Sequence, residues 1–143
     1  MSALSGSCLC GEVRYRAKFK EGIGACHCSM CRKWSGGPLM SIHADGDIEL
    51  SGESNIGVYS SSEWAERAFC KQCGSNLYYR LLPGAHSPSG EYIVTVGSLD
   101  EPGALQFDHE VYVDHKPDWY AFRDESARQQ LTEADILKLY GGG

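Results

Sequence analysis

The chain has 143 residues, which is the length of one ordinary domain and enough to bury a core without a metal to hold a miniature fold together. Hydrophobic residues make up 42% and charged residues 22%, and no apolar run reaches the length of a membrane span. The formal charge of −6 would repel phosphate backbones, which argues against general nucleic-acid binding.

The N-terminus, Met1-Ser2-Ala3-Leu4-Ser5-Gly6, has neither a basic n-region nor an apolar h-region, so no secretory signal is expected. A cytoplasmic, reducing compartment follows, and disulfides are disfavoured there. With seven cysteines, complete pairing is impossible in any case.

Residues 12–19 alternate strictly, with Val13, Tyr15, Ala17 and Phe19 on one face, and predict a half-buried strand. Residues 28–34 predict one or two helical turns. Residues 38–43 and 47–50 read as short strands around the turn Asp45-Gly46. Strands are also expected at 56–60, 64–70, 76–82, 91–96 and 109–114, with a loop over Pro83–Gly90. Thr132-Glu133-Ala134-Asp135 resembles a capping box ahead of a helix through Tyr140, which Gly141–Gly143 would end. These signals describe a single domain over 1–143, mainly β with short antiparallel strands and a short C-terminal helix.

The cysteines form three groups: Cys8-Leu9-Cys10, Cys26-His27-Cys28-Ser29-Met30-Cys31, and Cys70-Lys71-Gln72-Cys73. The first and third are close pairs followed by Gly11 and Gly74, where glycine lets backbone N–H groups curl toward sulfur. Two such pairs supply the four ligands of a tetrahedral zinc. The middle group can place three sulfurs, Cys26, Cys28 and Cys31, on one ion, and three protein ligands plus an open position is how catalytic zinc sites are built. Two zinc ions per chain are expected, which would take the charge to about −9. Competing readings are iron in a four-cysteine site, a redox pair at Cys70-x-x-Cys73, or closure of the second site by His27, His109 or His115. His27 can equally point outward from between its two cysteines.

Five stretches carry a resemblance. They are Ser7-Cys8-Leu9-Cys10-Gly11-Glu12-Val13-Arg14-Tyr15, Cys26-His27-Cys28-Ser29-Met30-Cys31-Arg32-Lys33-Trp34-Ser35-Gly36, Phe69-Cys70-Lys71-Gln72-Cys73-Gly74-Ser75-Asn76-Leu77, Val96-Gly97-Ser98-Leu99-Asp100, and His109–Val113 with Lys116–Tyr120. In this order, over about residues 5–122, the chain resembles the glutathione-dependent formaldehyde-activating enzymes, a family that includes centromere protein V. The resemblance implies an Mss4-like, β-rich fold. It implies a structural zinc on Cys8, Cys10, Cys70 and Cys73, and a second zinc on Cys26, Cys28 and Cys31 near which glutathione binds as co-substrate. The implied reaction joins formaldehyde to glutathione, giving S-hydroxymethylglutathione, and is classed with the carbon–sulfur lyases. This chain resembles the shorter members of the family.

Arg32 and Lys33 follow the third ligand and are candidates for the carboxylates of glutathione, or else an exposed basic pair. Gly36-Gly37-Pro38 reads as a tight turn that lets a ligand approach backbone, or equally as an ordinary loop. Trp34 and Trp119 are pocket walls or core. Gly97-Ser98 is placed near zinc by the resemblance alone. The other functional class open to this sequence is a non-catalytic, zinc-stabilised binding module.

Overall fold

A computed structural model of the chain describes residues 3–20, 22–84, 87–124 and 127–140. Ala85 and His86 of the expected loop, and the Gly141–Gly143 stop, lie outside the described residues. The strands are β1 (Leu4–Ser7), β2 (Arg14–Ala17), β3 (Ile23–Cys26), β4 (Leu39–His43), β5 (Glu49–Ser51), β6 (Ile56–Ser60), β7 (Ala65–Cys70), β8 (Asn76–Leu81), β9 (Glu91–Thr95), β10 (Phe107–Val111) and β11 (Gln129–Leu131). Among the described residues, two seven-residue α-helices, α1 (Ser29–Ser35) and α2 (Glu133–Leu139), accompany the strands of this mainly β architecture. No helix among the described residues is long and apolar enough to cross a membrane.

The chain folds as two compact units, one from residues 1–21 and 42–104 and the other from residues 22–41 and 105–143. In the first, β2 pairs antiparallel with β1 and β5. Its predicted alternation is realised over its whole length: Val13, Tyr15, Ala17 and Phe19 are buried, while Arg14, Arg16 and Lys18 face solvent. The order β9-β8-β7-β6 forms an antiparallel meander. Ala65, Leu81 and Ile93 pack on one face of it, with Tyr79 against them. Each fully buried Leu or Ile contributes roughly 1.5–3 kcal/mol, so these short strands are held by their buried face rather than by length.

In the second unit the order is β11-β10-β3 followed by residues 39–41 of β4. Strands β3 and β4 are antiparallel, as expected, but β10 runs parallel to both β3 and β11. The parallel pairs differ from the antiparallel expectation because β3 and β10 are joined by a long excursion of chain rather than by a hairpin. Strand β10 begins two residues before the predicted segment and ends at Val111. Helix α2 opens on the predicted capping box: Thr132 Oγ1 accepts from Asp135 N at 3.2 Å, and Asp135 Oδ2 accepts from Thr132 N at 2.9 Å.

Candidate metal centres

In the first unit, two turns carry the four-cysteine cluster. Cys8 to Val13 closes through Gly11 N to Cys8 O at 3.1 Å and Cys8 N to Val13 O at 3.0 Å, with Gly11 at φ 81°. The second turn follows β7 and closes through Gly74 N to Cys70 O at 2.8 Å and Cys70 N to Ser75 O at 2.9 Å, with Gly74 at φ 79°. A non-glycine residue at either φ would be strained. Backbone amides then reach sulfur, Val13 N to Cys8 Sγ at 3.3 Å and Gln72 N to Cys70 Sγ at 3.4 Å.

Sulfur spacing fits one ion. Cys8 Sγ lies 3.6 Å from Cys10 Sγ, and Cys10 Sγ lies 3.8 Å from Cys70 Sγ. A zinc–sulfur bond of about 2.3 Å gives a tetrahedral edge of about 3.8 Å. All four ligand atoms lie within 4.8 Å of one another. The seven cysteines are free, so the Cys70–Cys73 pair is not a disulfide.

The four thiols perturb one another. The Ser75 hydroxyl, and then backbone amides, hold the Cys73 thiol down at about 5. The backbone at Glu12 pulls Cys10 the same way, but burial and the neighbouring thiols lift it to about 12. Four sulfurs this close cannot all be anionic without a positive charge among them. Ser75, to which the sequence reading gave no role, links the two turns: its Oγ accepts from Leu9 N at 2.9 Å and lies 3.2 Å from Cys73 Sγ.

In the second unit, Cys26 ends β3, Cys28 caps α1 and Cys31 is buried in its first turn. Cys28 Sγ accepts from Cys31 N at 3.4 Å. The three sulfurs lie within 4.8 Å of one another, and among the described residues no histidine nitrogen or carboxylate oxygen joins them. Hydrogen bonds from the Cys26 and Cys31 thiols hold Cys28 down at about 2, while hydrogen bonding with Cys28 and Cys31, together with burial, pushes Cys26 far up. As a donor set, three soft sulfurs fit zinc.

His27 does not point outward. It is completely buried, with Nδ1 2.7 Å from Tyr120 Oη and Nε2 2.8 Å from Glu110 Oε1. Both ring nitrogens are engaged, so His27 is not a ligand of its neighbours' site. Glu110 is also completely buried, and its Oε2 accepts from Arg128 Nε at 3.1 Å and Gln130 Nε2 at 2.8 Å. Burial opposes its charge, but the hydrogen bonds from Gln130, His27 and Arg128 prevail and keep the carboxyl below its ordinary range. It is therefore a carboxylate that only accepts, and Nε2 of His27 carries a proton.

The remaining candidates separate. Arg32 donates from Nε to the His27 carbonyl at 2.9 Å, and Lys33 is exposed. Gly36 ends α1 in the left-handed region at φ 79°, as the turn reading required. Trp34 is half-buried, whereas Trp119 is 79% exposed and is not core. His109 Nδ1 lies 2.6 Å from Asp108 Oδ1. His115 groups with Asp114 and Glu133 instead of the cysteines. In the first unit, Ser98 Oγ lies 2.6 Å from Tyr15 Oη and donates to Thr95 O at 2.7 Å. A cavity of about 230 Å³ between Asp47, Arg80 and Glu91 contains none of the cysteines.

An uncharacterized lyase of Schizosaccharomyces pombe is 33% identical over 139 residues, covering 96% of this chain and 97% of that one. A Halomonas elongata protein named for glutathione-dependent formaldehyde activation is 34% identical over 85 residues, covering 52% of this chain and 54% of its own. A crystal structure of a Rhodobacter sphaeroides protein shares the fold, with a TM-score of 0.58 and 21% identity over 90% of this chain and all of that one. The profile of the family described as "Glutathione-dependent formaldehyde-activating enzyme" matches residues 3–115, and the chain belongs to that family.

Proposed function

We propose that this protein is a zinc-dependent carbon–sulfur lyase that makes and breaks the bond between glutathione and a small aldehyde, formaldehyde foremost. The observation that carries the reading is the Cys26, Cys28 and Cys31 cluster, which offers three sulfurs and, among the described residues, no fourth ligand. Cys8, Cys10, Cys70 and Cys73 hold a second, structural zinc closed by four sulfurs. Zinc at the three-cysteine site, when bound, supplies Lewis acidity and lowers the pKa of a nearby thiol. In the synthetic direction the glutathione sulfur bonds to the aldehyde carbon. The carbonyl π pair moves to oxygen, which takes the proton the thiol gives up. The reverse breaks the C–S bond and returns that proton.

Arg32 and Lys33 sit one and two residues past the last ligand, where their charge suits the carboxylates of the tripeptide. A domain spanning the whole chain in a reducing, cytoplasmic setting suits seven free thiols.

Cobalt-substituted protein tests the open position. Glutathione should raise the sulfur-to-cobalt charge-transfer absorption, and S-methylglutathione should not. An unchanged spectrum with glutathione would remove the substrate-facing role. A second reading, a zinc-stabilised binding module, is favoured by the apolar surface at β6 and the following turn, where Val58, Tyr59 and Trp64 are 51%, 66% and 41% exposed. That reading gains if glutathione does not bind.

A further inference from the structure

We infer that His27, Glu110 and Tyr120 form a positioning clamp that presets the three-cysteine site for its metal. The inference rests on the reading that Cys26, Cys28 and Cys31 hold zinc.

The two sites solve the same problem differently. In the four-cysteine site the ligands come from two chain segments, and both turns are tied by their own backbone and by Ser75. The three-cysteine ligands are local, so no ligand from elsewhere in the chain fixes their direction. His27 lies between the first two of them and is held at four points. Its N–H donates to Val111 O at 3.1 Å, and its carbonyl accepts from Arg32 Nε at 2.9 Å. Its ring meets Tyr120 Oη at 2.7 Å and Glu110 Oε1 at 2.8 Å. A residue fixed at its backbone and at both ring nitrogens fixes the Cα–Cβ directions of the cysteines on either side of it.

The clamp is itself braced. Lys116 Nζ donates to Tyr120 O at 2.9 Å, and Arg128 and Gln130 fill the second oxygen of Glu110. Burying a carboxylate and a histidine purely to fill a core is unfavourable compared with apolar residues of similar volume. A location between two ligand cysteines gives the burial a purpose. Groups that orient metal ligands typically alter metal affinity by about 10–100-fold when removed.

The test is a competition titration with a chromophoric zinc chelator on the wild type, Tyr120→Phe and Glu110→Gln. The Cys28→Ser protein, which retains only the four-cysteine site, assigns each affinity. The clamp predicts that both variants bind zinc at the three-cysteine site about 10–100-fold more weakly, with the four-cysteine affinity unchanged. Cobalt in that site should also shift its d–d absorption. Tyr120→Phe removes one hydroxyl from a half-buried ring, so it gives a reading even where Glu110→Gln does not fold. Wild-type affinity at both sites in Tyr120→Phe would overturn the clamp, as would parallel weakening of both sites in step with a lower melting temperature. A wild type that takes up only one zinc would instead sink the two-site reading, and the clamp with it.

Discussion

Gly52 packs so closely against the backbone carbonyl of Glu12 that no Cβ fits between them, and Gly52 itself sits at φ 76°. Glu12 lies two residues beyond Cys10, on the turn that presents Cys8 and Cys10. Strand β5 ends one residue before Gly52, and its pairing with β2 brings the glycine to that turn.

Gly52→Ala should therefore do more than strain one residue. The neighbour is backbone and cannot swing aside, so the turn itself must move. The expected loss is about 3 kcal/mol of stability, with weaker zinc retention at the four-cysteine site and little change at the other. Urea unfolding and site-resolved zinc titration check both parts. An alanine variant with wild-type stability and zinc retention would show that the turn is more compliant than the structure indicates.

The two metal sites should differ in what they do for the fold. Cys10 and Cys70 are 60 residues apart, so their shared ion closes a long loop, whereas Cys26 to Cys31 is a local cluster. Cys73→Ser should cost about 4 kcal/mol or more, and Cys28→Ser about 1–2 kcal/mol. Thermal melts with and without a zinc chelator measure this. Equal losses would contradict the division into a structural and a substrate-facing ion.

Acid should reveal a separate contribution at Glu91. Hydrogen bonding from His43 at 2.8 Å, with Lys20 at 3.0 Å, holds the Glu91 carboxyl at about 2 against an ordinary 4.5. A depressed folded-state value means the stabilisation is complete above the unfolded value and is lost as pH falls toward the folded one. The window runs from about 4.5 down to about 2, and the contribution is on the order of 2 kcal/mol. The stability gap between wild type and Glu91→Gln should be widest at pH 6 and should shrink by more than half by pH 3. Metal loss in acid affects both proteins alike. A gap that stays constant with pH would mean that the carboxylate charge contributes nothing.

Much of the β architecture was legible because burial follows alternation, as along Val13, Tyr15, Ala17 and Phe19. The C-terminal helix was legible from its capping box. Strands β1, β3 and β11 were not anticipated. The first two contain glycine and are four residues long, and Ile23-Gly24-Ala25 is buried on successive residues and so shows no period of two. Gln129-Gln130-Leu131 is a strand only because β10 lies beside it. The cysteine groups were legible from spacing, since each ligand pair is local. Their supports were not: Glu110 and Tyr120 lie 83 and 93 residues from His27, and no local pattern pairs a histidine with a carboxylate at that distance. A histidine flanked by ligands reads as polar surface until its partners are known. Ser75 and Gly52 went unread for the same reason.

The most direct measurement of the proposed activity is exchange spectroscopy of ¹³C-formaldehyde with glutathione, following transfer of label between formaldehyde hydrate and S-hydroxymethylglutathione. The uncatalysed exchange sets the baseline. Zinc-loaded protein should add an exchange rate proportional to its concentration, and Cys28→Ser should abolish this increment. Glu91→Gln should retain the increment at neutral pH. Exchange that stays at the baseline at every concentration of the two-zinc protein would contradict the assignment of carbon–sulfur lyase chemistry to this site.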